Sequence, residues 1–520
     1  MSADVDLTDR SADAVPPAAS NPSSTGRWWH RIPPPSAPQV FLAGAVLIWT
    51  WYFTDRSLDI HHALGTATYD SALYDQGMWL LSRFEAPFVT LMGRNLFGDH
   101  TSFVLLFLVP LYWIAPGAWI MFTAQSAAIA AGAIPVFLYG RRRLGSEWLA
   151  LIGAGVYLLH PAVGWTNLEN FHPDSFLGVF VGFAIYAALE RKWRTYAVFV
   201  VLSLLVKEDV SLVIVPLGIW VALRRDRRIG VLTVFGSLAF MAAAMLLVMR
   251  SLIGVPTRNA WRIPFGGPSG LVDTTLTNPT ALVRHLRSDD RPWYLVQMTM
   301  PFAWLFVRLP DVALISGVVL FSNVLSTFWY QYQVDYHYSL VAVPALAIGT
   351  VYAIGAIRTH PIMLRGRNIK ASARGLCLAV LAVASVTGAV LWSPTPIGGA
   401  ASWYGRPDNS WASSARELMS EIPADAVVAA NYRLTPHLAY RREIYQFPVP
   451  FRAVLYGPDD SLEGTRLDER AERVDFVMLP VRRNDGVRAD WAAVDDAFDE
   501  VTRNRFWVLY ERNRSVPLPN

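Results

Sequence analysis

The 520-residue chain has a single cysteine, Cys377, inside an apolar run. No internal disulfide can form, so a secreted disulfide scaffold is excluded. Charge is also scarce. Asp, Glu, Lys and Arg make up 17% of the residues, against about a quarter in an ordinary soluble domain. There is no Walker A loop, no GxGxxG after a strand, no HExxH and no CxxC. Those gaps argue against ATP-driven transport and against nucleotide chemistry on a soluble domain. No cleavable signal-peptide pattern opens the sequence, so targeting is expected to fall to the first span acting as an uncleaved anchor.

What the chain does have is apolar mass: 53% hydrophobic and 13% aromatic residues, in long runs separated by basic clusters. That pattern is the signature of many membrane spans. The formal net charge is only +4. Its Arg and Lys gather in short loops, which reads as cytoplasmic loops and not as a nucleic-acid surface.

Residues 1–36, rich in Ala, Ser, Pro and Asp, read as a disordered cytoplasmic tail. The first expected span is Gln39–Phe53, after which residues 54–118 form an outer loop. Within it, 102–114 is interrupted by Pro110 and followed by Pro116-Gly117, so it reads as interfacial or re-entrant, and Trp119–Tyr139 as the second span. Arg141–Arg143, Arg191–Arg194 and Arg224–Arg228 then fix inner turns between the short hairpins Trp148–Leu159/Ser175–Leu189 and Tyr196–Val206/Ser211–Leu223. Val231–Met249, Trp293–Val307, Val312–Thr327, Leu340–Ile357 and Leu376–Trp392 follow. The expected fold is an all-α polytopic membrane domain over 37–395, with about eleven spans, the N-terminus inside and the C-terminus outside. Residues 396–520 have soluble composition and read as a small extracytoplasmic α/β domain. Its expected elements are helices Ser410–Glu421 and Trp491–Phe498, strands Ala426–Ala430 and Phe476–Leu479, and a closing strand Phe506–Tyr510.

Four polar tips are expected on one side: the loop carrying Asp70, Asp75 and Gln76, then Asn167–Asp174, Lys207–Asp209, and Tyr330–Tyr338. Ionisable groups collected at membrane depth are costly and usually functional. Asp70 and Asp75, five residues apart, do not share one helical face closely. Each is either a catalytic or ligand carboxylate or a solvated, capping acid. Asp99-His100 reads equally as an N-cap for a helix starting at Thr101 or as a ligand pair for a metal or pyrophosphate. Glu169, His172 and Asp174 are functional, or simply start a helix at Pro173. Lys207 with Glu208 and Asp209 is a self-neutralising cluster or presents Lys207 to a lipid phosphate. Tyr332, Asp335, His337 and Tyr338 form either part of a site or an interfacial aromatic belt. His437 reads as solvated surface.

The stretches YDSALYDQGMW, NLFGDH, NLENFHPDSF, KED, the HY at 337–338 and IPADAVVAANYRLTPHLAYRREIYQFP resemble a bacterial multi-pass membrane-protein family of the GT-C superfamily. More broadly, the long first outer loop with an early acid, the surface segment near GDH and the span ending YGRRRLG resemble GT-C glycosyltransferases themselves. The resemblance implies transfer of a sugar from a polyprenyl-phosphate donor to a cell-envelope acceptor on the outer face of the plasma membrane, usually with inversion. It also implies that the first-loop acid, here Asp70, is the general base or a metal ligand, and that Asp99 and His100 match the acid-then-His element. A divalent ion is then a possible cofactor, with Asp70, Asp99 and His100 as candidate ligands. Characterised members often carry an adjacent acid pair where this chain separates Asp70 from Asp75. The alternative reading is a lipid or polysaccharide transporter using the same outward cavity; an anchored sensor ranks below both, since it needs far fewer spans.

Overall fold

The computed structural model describes residues 34–253, 260–357, 361–364, 367–399, 407–454 and 462–519. The expected tail lies almost wholly outside these residues. The first helix, Ala37–His62, is opened by Ser36 and Gln39, whose side chains cap each other's backbone, with Pro38 in the first turn. It is longer than the span expected within it, and it ends where Leu64 turns with φ 61°.

Among the described residues, four helices are long and apolar enough to cross a membrane: Ala118–Leu144, Arg227–Ile253, His337–Gly355 and Ala373–Trp392. A fifth crossing results if Glu147–Leu159 and Pro161–Leu168, bent by 47°, count as one. Pro173–Leu189, Trp193–Leu204 and Ala313–Leu325 are apolar but shorter. The expectation of about eleven spans therefore meets fewer elements of full length among the described residues. The stretch Trp293–Val307 shows why. Its helix stops at Thr299, and Ala303 and Trp304 both adopt φ 51°, so it is broken near its middle. The 102–114 stretch is likewise two short helical pieces, Phe103–Phe107 and Val109–Ile114, with Phe107, Trp113 and Ile114 exposed.

The helices pack closely where small residues face large ones. A Cβ on Gly132 would lie 2.1 Å from the Tyr157 hydroxyl and one on Gly178 2.3 Å from it. That hydroxyl donates to Ile129 O at 3.0 Å. The basic turns sit together: Arg142 pairs with Glu190, Arg143 Nε donates to Tyr352 O at 3.4 Å, and Arg224 lies 3.7 Å from Asp311.

The C-terminal stretch carries a five-stranded sheet in the order 444–446, 428–430, 476–480, 507–512, 498–503. The first three strands run parallel and the last two pairings are antiparallel. Two expectations change here. Helix formation runs over Asp485–Ala492, started by Asn484 accepting from Val487 N, and Phe498 opens a strand instead of ending a helix. The strand Trp507–Arg512 is bonded on both sides, so the sheet ends at Phe498–Arg503.

This sheet and its preceding helix grip the stretch that follows the first helix. Arg416 Nη1 donates to His62 O at 2.7 Å, Arg433 Nη1 to Leu64 O at 2.9 Å, and Thr68 Oγ1 to Tyr432 O at 3.1 Å. Thr90 Oγ1 donates to Ile444 O at 2.6 Å and accepts from Ile444 N. His437, expected in solvent, instead stacks on His61 with ring centroids 4.0 Å apart. The loop-to-sheet packing leaves it only partly exposed.

Candidate active site

The polar tips meet. Asp70 lies on a turn where Thr68–Ala72 departs from regular helix, with φ 75° and ψ −81°. A non-glycine residue at positive φ is strained by roughly 1–3 kcal/mol and persists only where its surroundings hold it. The holders are polar. Asn170 Oδ1 accepts from Ser71 Oγ at 3.0 Å and from Ala67 N at 3.3 Å. Gln125, fully buried in the span Ala118–Leu144, donates to Asn167 O at 3.1 Å and Asn170 O at 2.8 Å, and accepts from His172 N at 3.0 Å. One glutamine in an apolar helix thus shapes the loop that sets Asp70.

Asp70 Oδ1 lies 3.2 Å from His172 Nε2, and its side chain stays 37% exposed, open to a cavity of about 930 Å³. Burial opposes its ionisation, but His172, His337 and Lys207 outweigh that and hold its carboxyl below the usual value. The cavity is also lined by Glu169, Asn170, Asp335, His337 and Tyr338. His337 stacks on His172 at 3.7 Å between ring centroids. Glu169 Oε2 accepts from His337 N at 2.8 Å and lies 2.9 Å from its Nδ1. Burial pushes the Glu169 carboxyl up to about 8, although His172 pulls the other way.

Behind Tyr338 stands a charged wall. Lys207 Nζ lies 3.8 Å from both Asp174 and Asp209 and 5.6 Å from the Tyr338 ring centre. Burial opposes the ammonium, yet these acids outweigh it and raise its pKa, so Lys207 stays charged. A small cavity of about 40 Å³ touches Asp174, Asp209, Tyr338 and Gln331. Beyond it opens a second large cavity of about 330 Å³ carrying His100, Lys207, Glu208 and Arg262 at its polar end, and Met241, Met245 and Met249 along an apolar side. The three methionines recur every fourth residue on the membrane-length helix Arg227–Ile253 and so form one stripe. His100 Nδ1 lies 2.8 Å from Glu208 Oε1, and Thr101 N donates to Glu208 Oε2 at 3.2 Å. Burial resists the charge on Glu208, but His100 outweighs it, and the carboxyl titrates below its ordinary range.

The structure therefore brings together Asp70, Glu169, His172, Asp174, Lys207, Glu208, Asp209, Asp335, His337, Tyr338 and His100 around two cavities and the wall between them. Four candidates lie elsewhere. Asp75 points the other way, accepting from Tyr112 at 2.6 Å and Tyr440 at 2.9 Å. Gln76 donates to Thr90 Oγ1 and to Arg441 and Arg442 carbonyls. Both serve the seam between the first loop and the C-terminal sheet. Asp99 lies 3.8 Å from Arg94, at the end of the short helix Leu96–Asp99. The helix expected from Thr101 is absent, so Asp99 does not cap one. Tyr332 packs under the Arg291 guanidinium at 4.1 Å.

Asp70, Asp99 and His100 do not form one donor group, because Asp99 faces Arg94 and His100 faces Glu208. Glu169, His172 and His337 do: their donor atoms lie within 4.8 Å of one another. Neither ring nitrogen of His172 makes a well-directed hydrogen bond.

Sequence reasoning passed over Gln125, Asn170, Arg262 and the three methionines. Gln125 is the one that carried a signal, as an amide inside an otherwise apolar run.

A family model described as "Predicted membrane protein (DUF2079)" matches residues 60–516. No curated protein matches the sequence. The fold is similar to that of ArnT from Cupriavidus metallidurans in two crystal structures. The one bound to undecaprenyl phosphate has a TM-score of 0.54 and 12% identity, covering 92% of this chain and 98% of that one. The apo form has a TM-score of 0.54 and 13% identity, covering 91% and 97%.

Proposed function

The chain belongs to the DUF2079 family of predicted membrane proteins, and we propose that it is a membrane glycosyltransferase. It moves a sugar from a polyprenyl-phosphate donor to a cell-envelope acceptor on the outer face, with inversion. The observation that carries this reading is the division of the site. An acid, Asp70, faces one cavity, Lys207 and Arg262 face a second cavity with an apolar wall beside Glu208 and Asp209, and Lys207 stands 5.6 Å from the ring of Tyr338, which lines the first. A likeness in fold to ArnT, crystallised with undecaprenyl phosphate, supports the choice of donor.

In this reading the lipid chain lies along Met241, Met245 and Met249, and its phosphate meets Lys207, Arg262 and His100. The acceptor hydroxyl enters from the other cavity. Its proton passes to the Asp70 carboxylate as its oxygen bonds the anomeric carbon. The bond from that carbon to the phosphate oxygen breaks, and the electron pair leaves with the phosphate. Attack and departure on opposite sides invert the anomeric centre. The sugar carries oxocarbenium character at the crest, which Asp70 and Asp174 stabilise, while Lys207 and Arg262 balance the growing phosphate charge. Glu169, His172 and His337 are the residues that would hold a divalent ion, a donor set of ordinary chemistry for zinc. Such an ion would supply Lewis-acid orientation of the acceptor hydroxyl. The first outer loop and the C-terminal sheet lie outside, and the basic turns inside, by the positive-inside rule.

The test uses purified protein in nanodiscs with radiolabelled polyprenyl-phosphate sugars and a crude envelope-glycan fraction. Transfer of label into glycan with release of polyprenyl phosphate is expected. Donor movement across vesicles with no bond cleavage would point instead to a transporter.

A further inference from the structure

The larger cavity has a one-sided chemistry. Its walls include Trp165, Tyr330, Tyr336 and Trp392, and its polar lining is made of carboxyls, amides and one histidine. Among the described lining residues there is no Lys and no Arg. The aromatic surfaces are fixed in place. Trp165 Nε1 donates to Trp392 O at 2.7 Å, Trp392 meets Trp293 edge to face at 5.4 Å, and Tyr330 meets Tyr336 at 4.4 Å in the same way.

Rigid aromatic faces beside acceptor-rich carboxyls and amides suit the C–H faces and hydroxyls of sugar rings. They do not suit an anion. In the metal-free chain, a phosphate or uronate placed here would sit against Asp70 and Asp335 with no Lys or Arg in the lining to pair it, which is costly in a partly desolvated cavity. The contrast with the second cavity is internal to the molecule, because Lys207 and Arg262 line that one, beside Glu208 and Asp209. At about 930 Å³ the first cavity is at the upper end of ordinary ligand sites, about 300–1,000 Å³, and is roomy for a single sugar. Resting on the transferase reading for the word acceptor, we propose that the acceptor is an uncharged, hydroxyl-rich oligosaccharide bound in this aromatic cavity. Phosphorylated and acidic glycans are rejected.

The experiment measures tryptophan fluorescence and saturation-transfer NMR on the full chain in nanodiscs, without donor. The probes are neutral hexasaccharides of glucose, galactose, mannose and arabinose, beside oligogalacturonate and a mannose oligomer ending in a phosphate. At least one neutral oligomer is expected to bind saturably, and its acidic counterpart about tenfold more weakly or worse. Trp392→Ala should weaken the neutral ligand by about tenfold. Asp335→Lys, at the exposed rim, should improve the acidic ligand relative to the neutral one and so narrow or reverse the difference between them. Equal or tighter binding of the acidic oligomers overturns the proposal. So does the absence of saturable binding by every neutral oligomer up to millimolar concentration. Glycan binding by a protein that never cleaves a donor would refute the transferase reading and leave the cavity's preference standing. Donor cleavage driven only by acidic glycans would do the opposite.

Discussion

Gln125→Met tests how the site is held. The side chain is fully buried, and the substitution nearly preserves its volume while deleting two donated hydrogen bonds and one accepted one. The backbone carbonyls of Asn167 and Asn170 and the N–H of His172 lose their partners. An unsatisfied buried group costs about 1–3 kcal/mol. Three of them, with some relaxation of the loop, should destabilise the protein by about 3–5 kcal/mol. The second consequence is at a distance. Asn170 Oδ1 holds Ser71 and Ala67 on either side of Asp70, so a loosened loop displaces the carboxylate, and a misplacement of about 1 Å can cost on the order of a hundredfold in rate. Melting in detergent and donor turnover in nanodiscs give the two readouts, and Ser71→Ala, which removes one bond, should lose only about 1 kcal/mol. A Gln125→Met protein that melts and turns over like the wild type would refute the idea that this glutamine shapes the loop.

Other outcomes follow from the same structure. Burial pushes the Asp75 carboxyl up to about 7 from an ordinary 3.8, against hydrogen bonds from Tyr112 and Tyr440. The folded chain keeps that proton to higher pH than the unfolded chain does, so the stabilisation of the neutral form is present at low pH and is lost as pH rises through about 7. Asp75→Asn should remove up to about 4 kcal/mol of pH dependence between roughly pH 4 and 7, read as the difference between wild-type and variant melting curves; identical curves would count against it. Arg262→Gln should weaken polyprenyl-phosphate binding by about tenfold or more and leave neutral-glycan binding unchanged; equal loss of both would argue against two separate cavities. Gly132→Ala places a methyl on the Tyr157 hydroxyl and should cost about 1–3 kcal/mol in thermal stability, with a neutral result indicating that the helices can part there.

The membrane class and the meeting of residues from four polar tips were legible in the sequence. They follow from composition, from basic clusters and from the cost of ionisable groups at membrane depth. Span number was less legible, because apolar composition does not reveal breaks such as Ala303-Trp304, where the backbone turns inside an apolar run. Asp99 and Asp75 misled for a shared reason: loop acids look alike until their partners are known, and here those partners are Arg94, Tyr112 and Tyr440. His437 looked like solvated surface because the docking of the C-terminal sheet on the first loop is a long-range contact with no local signature. The helix at Asp485–Ala492 did carry one, since Asn484 is a strong N-cap residue. The positive φ of Asp70 could not be read from sequence, where nothing marks an aspartate as held against its preference.

The most direct test of the central claim compares wild type with Asp70→Asn for two quantities measured on the same nanodisc samples, donor affinity and rate of sugar transfer. The amide keeps the size of the side chain and removes its basicity. The account predicts unchanged polyprenyl-phosphate-sugar affinity with transfer slowed by about a hundredfold to ten-thousandfold. Transfer at the wild-type rate, or donor affinity lost together with transfer, would contradict Asp70 as the base.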